Sequence, residues 1–320
     1  MRRGVLGLLA ALVLGACGGG AATQPSEPPG STQGQKGKRT PAAEKPSPED
    51  VDELDDLVAE AEKQASRAAS ASPSGSLAFP GPVLGGDVSW PQCPRGMGIP
   101  ERRTLGLPMP LPSAQYVVVG LTNGPAFTPN PCLADQVAWV RERGLLIGAY
   151  AVTSYPDDGA LATYRDDGPF DGDTKLGALG NTGYQQARYN IASMEEVGLR
   201  PPLVWVDVEP VADFEWSGDL AANAAVVRGV ARGYTDAGFE IGVYSTPHLW
   251  SQIVGGLELG VPEWRAAGQT SQAEATERCS EEWVIQGGEA VLGQWVAQQR
   301  DLNITCPGIH LDLAPWFQQL

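Results

Sequence analysis

From about Gly85 the chain alternates short apolar runs with stretches of helical period. Gly86-Asp87-Val88-Ser89-Trp90 reads as a short strand with Asp87 and Ser89 on one face, and Tyr116 to Leu121 as a strand buried on both faces. Pro131 to Arg143 carries Leu133, Val137 and Val140 at helical spacing and ends at Gly144; Leu145 to Val152 is the next strand. Asp157 to Asp173, dense in Asp and Gly, predicts a solvated loop, and a helix follows over about 174–198. Further elements are a helix over 219–237 ended by Gly238, a strand at 240–244 and a short helix at 247–254. Strands are then expected around Trp264, at 291–297 and at 308–313. Such alternation over roughly 235 residues, with no dinucleotide fingerprint, predicts an α/β fold: an irregular (β/α)8 TIM-like barrel rather than a doubly wound sheet.

One strand organises this pattern, Pro201-Pro202-Leu203-Val204-Trp205-Val206-Asp207-Val208-Glu209-Pro210. Side chains alternate across a strand, so Val204, Val206 and Val208 share a face suited to packing under helices. The other face runs Leu203, Trp205, Asp207, Glu209, which makes Trp205 a core residue and places two carboxylates about 6.6 Å apart at Cα. Two like charges there cost stability unless something uses or neutralises them, and such pairs push their pKa values apart. In a (β/α) barrel the active site lies at the carboxyl ends of the strands. Asp87, Asp207, Glu209 and Asp312 all fall at ends of predicted strands, so a converging carboxylate cluster is expected.

Composition excludes several classes of function. The net charge of the 320 residues is -16 at pH 7, and no basic stripe exists to neutralise phosphates, so no nucleic-acid partner is expected. The two histidines, His248 and His310, lie in no metal-ligand spacing, and the Asp-rich 157–173 stretch does not fit a calcium loop. No phosphate-binding glycine motif is present. No metal and no cofactor is therefore expected, and a monomer is.

The first residues tell where the protein works. Met1-Arg2-Arg3 and the apolar run Gly4 to Leu14 form a charged region and a segment too short to span a bilayer. Leu14-Gly15-Ala16-Cys17 resembles a bacterial lipobox, which implies a signal peptide over 1–16, cleavage before Cys17 and lipidation of its sulfur. That places an exported protein on the outer face of the cytoplasmic membrane. Residues 17–80 are rich in Gly, Pro, Ser, Ala, Gln and charge, and read as a disordered tether with a short helix over about 48–70. The folded domain is expected over 81–320. Apart from Cys17, four cysteines remain, an even number in an exported protein. Three connectivities are possible; sequence proximity favours Cys93–Cys132 and Cys279–Cys306.

The region from Gly86 to the C-terminus resembles the family 25 glycoside hydrolases, muramidases of the lysozyme type with an irregular (β/α) barrel. Asp87-Val88-Ser89-Trp90-Pro91-Gln92 is similar to the opening D-x-S-x-x-Q motif, and Gly144 to Tyr150 to the "AGL-x-x-GAY" strand. Tyr116 to Gly124, with Phe127 and Asn130, resembles the second strand and its loop. Val206-Asp207-Val208-Glu209 resembles the catalytic D-x-E, Gly242-Val243-Tyr244-Ser245 the "GIYT" strand, Gln294 to Gln298 the "WQY" region, and Leu311-Asp312-Leu313 the closing "VDLN".

The resemblance implies Glu209 as general acid/base, Asp207 as its partner, and Asp87 and Asp312 as supporting carboxylates. Trp90, Tyr150, Tyr244, Trp295 and Gln298 are the expected substrate contacts. The implied function is cleavage of the peptidoglycan glycan strand, or a related cell-wall polysaccharide, by carboxylate acid/base catalysis. The alternative is a non-catalytic lipoprotein that binds cell-wall glycan in the same cleft. Three departures mark a divergent branch: Ala151-Val152 where the family has His-Phe, Gly120-Leu121-Thr122 where a lysine-containing stretch is expected, and an extra segment over about 268–288.

Overall fold

The computed structural model describes residues 77–320; Cys17, the leader and the 48–70 helix lie outside the described residues. Eight strands form one closed barrel: β1 (Leu84–Val88), β2 (Tyr116–Gly120), β3 (Leu146–Val152), β4 (Leu203–Asp207), β5 (Glu240–Ser245), β6 (Glu263–Ala266), β7 (Ala290–Ala297) and β8 (Arg300–Thr305). Neighbours follow chain order, and β8 returns to β1 to close the ring. Strands β1 to β7 are mutually parallel, whereas β8 is antiparallel to both β7 and β1. A short β9 (Gln318–Gln319) adds to the start of β3.

Among the described residues six α-helices run outside: α1 (Leu133–Glu142), α2 (Asp158–Tyr164), α3 (Lys175–Glu196), α4 (Leu220–Asp236), α5 (Pro247–Val254) and α6 (Gln272–Glu277). Local chemistry starts them where expected. Thr174, Asp219 and Thr246 each cap the first turn of α3, α4 and α5 by accepting a backbone N–H. Helices α3 and α4 approach so closely that a Cβ on Gly183 would run into the Val226 carbonyl, and one on Gly229 into that of Gly180. Glycine is thus what permits this contact.

Both faces of β4 do what alternation requires. Val204, Val206 and Val208 pack with Val137, Ile191, Val227 and Val230 of the helical layer. Leu203 and Trp205 point into the barrel with Tyr116, Trp264 and Leu292. Trp205, with no exposed surface, meets Trp264 at 5.8 Å between ring centroids, a core position as expected. Phe317, 4.4 Å from Tyr116 by ring centroid, belongs to the same interior cluster and closes the amino-terminal end of the barrel.

Three sequence expectations change. The 157–173 stretch is not all loop: Asp157 accepts from the Ala160 N–H at 2.7 Å and starts α2. The last barrel strand is β8, and 308–313 instead holds a 3-10 turn over Ile309–Leu311. The domain's contacts also begin ahead of residue 81, because Leu77 O accepts from Leu313 N at 3.1 Å and Phe79 N donates to His310 O at 2.8 Å. The favoured disulfide pairing is the one observed, Cys93–Cys132 and Cys279–Cys306, each with Cα atoms 5.6 Å apart.

The extra 268–288 segment is clamped to the outer face of β6. Glu263 and Arg265 of β6 form a buried ion pair at 2.7 Å. The Glu263 carboxylate also accepts the N–H groups of Ile285, Gln286 and Gly288, while Arg265 donates to the carbonyls of Arg278 and Ser280. Each buried charge is thereby saturated with hydrogen bonds, the condition under which a buried pair is tolerated.

Candidate active site

Asp87, on β1, is buried, and its Oδ2 accepts from Asn303 Nδ2 at 2.7 Å and Gln294 Nε2 at 3.0 Å. Each amide is held by an aromatic donor. Trp264 Nε1 donates to Asn303 Oδ1 and Tyr244 Oη to Gln294 Oε1, both at 2.8 Å. The opening carboxylate therefore rests on a rigid frame from β5, β6, β7 and β8.

Asp207 ends β4 and is buried, with its Oδ1 lacking a hydrogen-bond partner. Glu209 follows just beyond the strand; its carbonyl accepts from Trp216 Nε1 at 2.9 Å. A fourth carboxylate, Asp301, faces Asp87 across the β1–β8 register.

Crowding raises the pKa of all four. Burial, then the neighbouring Asp301 charge, lifts Asp87 well above the usual carboxylate range, against the lowering effect of its two amide donors. Burial and the charges of Glu209 and Asp87 do the same to Asp207. Burial with Asp301 pushes Glu209 up to about 7, and burial pushes Asp301 up to about 6. Among the described residues, none of the four has an ion-pair partner. Burial and mutual repulsion thus favour the protonated forms of these carboxyls.

The structure thus brings Asp87, Asp207 and Glu209 together but leaves out Asp312. The Asp312 carboxylate accepts from Leu77 N at 3.3 Å and Ala314 N at 3.0 Å, next to the segment that closes the opposite end of the barrel. Its role there is to cap a turn. The fourth position belongs to Asp301, and Asp301-Leu302-Asn303 matches the D-L-N letters of the closing motif better than Leu311-Asp312-Leu313 does. Alternation at Asp301 and Asn303 against Leu302 and Ile304 is the signal that identifies this strand.

Among the expected contacts, Tyr150 and Tyr244 line the interior beneath the carboxylates, with rings 5.7 and 4.6 Å from Trp264. Trp90 is half-buried in the 3-10 turn after β1. Trp295 lies on the outer face of β7, buried with Ala267, Ala275, Leu302 and Ile304, and is core rather than cleft. Its neighbour Gln294 takes the inward position. Gln298 is exposed in the two-residue turn between β7 and β8, where its carbonyl accepts from Arg300 Nη1 at 3.2 Å.

Among the described residues no group of His, Cys, Asp and Glu is arranged to hold a metal ion, and no helix is long and apolar enough to cross a membrane.

Parts of the chain are similar to known proteins. The family model described as "Lysozyme-like protein 1" matches residues 177–280, which include β4 with Asp207 and Glu209. A probable GH family 25 lysozyme 4 of Dictyostelium discoideum is 39% identical over 66 residues, covering 20% of this chain and 30% of the relative. Counting factor 45-1 of the same organism is 39% identical over 89 residues, covering 27% of this chain and 29% of the relative. The chain thus matches under a third of the length of these curated relatives. Among solved structures, the muramidase from Acremonium alcalophilum aligns with 73% of this chain and 98% of its own, at 14% identity and a TM-score of 0.44. Over residues 177–280, the stretch that carries Asp207 and Glu209, the chain is thus similar to lysozyme-like proteins, and over part of its length to a family 25 lysozyme.

Proposed function

We propose that this protein is an exported, lipid-anchored muramidase-like hydrolase that cuts the glycan strand of peptidoglycan or a related cell-wall polysaccharide. The observation that carries the reading is a cluster of four carboxylates at the barrel mouth, with Glu209 held near pKa 7 by burial and Asp301. Glycoside cleavage needs one carboxyl that is protonated at working pH and one group that supports positive charge at the anomeric carbon. Glu209 donates its proton to the leaving oxygen as the glycosidic bond breaks. It then takes a proton from the water that completes hydrolysis. Asp207 orients the substrate's own N-acetyl group or supports the oxocarbenium-like carbon directly. Burial and the Asp301 charge favour the protonated form of Glu209, and Asp87, held by Gln294 and Asn303, lines the same cluster. Tyr150 and Tyr244 offer aromatic walls for a sugar ring.

The test is turnover of the full chain on purified peptidoglycan, read as new reducing ends and muropeptide masses, beside Glu209→Gln. Activity in the parent that falls by about 10²–10⁴-fold in the variant supports the assignment. An inert parent removes it. The substitution of Ala151-Val152 for the family's His-Phe favours a second reading, a glycan-binding lipoprotein without turnover. Saturable glycan binding by an inert parent, kept in Glu209→Gln, supports that reading; no detectable binding removes it.

The lipid anchor rests on Leu14-Gly15-Ala16-Cys17. Metabolic labelling with a fatty acid, lost in Cys17→Ala, tests it.

A further inference from the structure

The loops at the mouth of the barrel are unequal. The connection from β1 to β2 runs 89–115 without an α-helix and folds back on itself. Gly106 N donates to Cys93 O at 3.0 Å, Thr104 Oγ1 accepts from Met97 N at 2.8 Å, and Arg103 Nη1 donates to Gly98 O at 2.8 Å. The Cys93–Cys132 disulfide ties its base to the start of α1.

Its tip seats on the loop after β2. Ile99 N donates to Asn123 Oδ1 at 2.9 Å, and Asn123 Nδ2 donates to Arg102 O at 3.0 Å. Gly98 (φ +78°) and Gly124 (φ +93°) allow this approach: a Cβ on the first would strike Asn123 Oδ1, and one on the second would come within 3.0 Å of Arg102 Cγ.

From that seat Arg102 reaches the loop after β4. Its guanidinium donates to Ala212 O and to Asp213 Oδ2, the latter at 3.3 Å, and lies over the Phe214 ring at 5.6 Å. Asp213 itself is held at φ 68°. The loop after β3 joins through Ser154 Oγ, which accepts from Ala126 N at 3.0 Å. The loops after β1, β2, β3 and β4 are thus knitted into one continuous wall, with Arg102 as its clasp. On the other half of the mouth Thr246 alone separates β5 from α5, five residues (267–271) separate β6 from α6, and two separate β7 from β8, and among the described residues no hydrogen bond or ion pair clasps these connections across the opening.

A polymer lying across the mouth as a trough needs an exit on both sides. A wall joined from β1 to β4 leaves exits only on the β5–β8 half. We propose that Arg102 is a specificity-determining residue: by clasping the loops after β1 and β4 it makes the cleft one-ended, so the domain cuts glycan strands from an end and releases short saccharides. This rests on the hydrolase reading above, which its test keeps distinguishable.

The test follows product length over time on glycan strands freed of their peptides. It uses the full chain, Arg102→Ala, and Asp213→Ala at an exposed position whose loss opens only part of the clasp. The parent is expected to release short saccharides from the first time points while long strands persist. Arg102→Ala is expected to raise the share of internal cuts by about tenfold, with a smaller shift the same way in Asp213→Ala. If Arg102→Ala does not fold, by circular dichroism, Asp213→Ala decides alone. Internal cuts by the parent, or variants with the parent's product pattern, overturn the one-ended cleft and leave the hydrolase standing. A parent inert on every strand overturns the hydrolase reading, and the inference with it.

Discussion

Asn303 joins Trp264 to Asp87: its Oδ1 accepts the indole N–H at 2.8 Å and its Nδ2 donates to Asp87 Oδ2 at 2.7 Å. The amide cannot flip without losing both bonds. It therefore fixes which oxygen of Asp87 is occupied and where the other points. Asn303→Ala would leave a buried indole N–H unpaired and strip a donor from a buried carboxyl. Each such orphaned group costs about 1–3 kcal/mol, so a drop in stability of that order is expected in urea unfolding. A midpoint unchanged from the parent would mean the frame does not hold Asp87.

Raised carboxyl pKa values give stability a pH dependence of definite sign. Glu209 moves from 4.5 to about 7 and Asp301 from 3.8 to about 6 on folding. The folded state then binds more protons than the unfolded chain between those limits, so stability falls as pH rises. Their contribution is fully present below the unfolded values and is lost as pH rises through about 6 for Asp301 and about 7 for Glu209. Denaturant midpoints measured from pH 4 to pH 8 are expected to decline across this window, and Glu209→Gln to flatten its upper part. The turnover proposed above is expected to fall as pH passes about 7, when Glu209 loses the proton it donates.

The clamp under the extra segment allows a sharper mutational contrast. Arg265→Met leaves the Glu263 charge buried and unpaired, a change that costs about 3–5 kcal/mol. Replacing both by apolar residues, which is often neutral for a simple pair, is expected to stay costly here. Glu263 also accepts three backbone N–H groups from 285–288, which no apolar side chain satisfies. Thermal melts of the single and double variants decide the matter: recovery in the double variant would contradict the clamp.

The two disulfides close loops of similar length, 39 and 27 residues apart in sequence. Chain-entropy arguments give about 4 kcal/mol for the first and about 3.5 for the second. Removing either pair as a double serine variant should therefore lower stability by comparable amounts. Removing Cys93–Cys132 should in addition loosen the loop that carries Arg102, seen as faster proteolysis within 93–107 than in the Cys279–Cys306 variant.

By itself, the sequence determined what depends on local period and local chemistry. The strand of valines alternating with Leu203, Trp205 and Asp207, the helices opened by Thr174, Asp219 and Thr246, and the proximity of the paired cysteines follow from near neighbours alone. So does the position of three of the four clustered carboxylates, because Asp87, Asp207 and Glu209 sit at ends of strands with strong patterns. Tertiary structure decided the rest. In β7 both Trp295 and Gln294 are buried, so polarity does not say which faces inward; the antiparallel pairing with β8 does, since one residue of slip inverts a strand. Gln298 and Gln299 turn at positive φ, 55° and 59°, a hairpin without the glycine that would advertise it. That turn hid the strand carrying Asp301 and left Asp312 as the apparent fourth acid. The wall across the mouth is likewise a product of assembly, because Arg102 and Asp213 lie 111 residues apart and meet only once β1 and β4 have taken their places in one barrel.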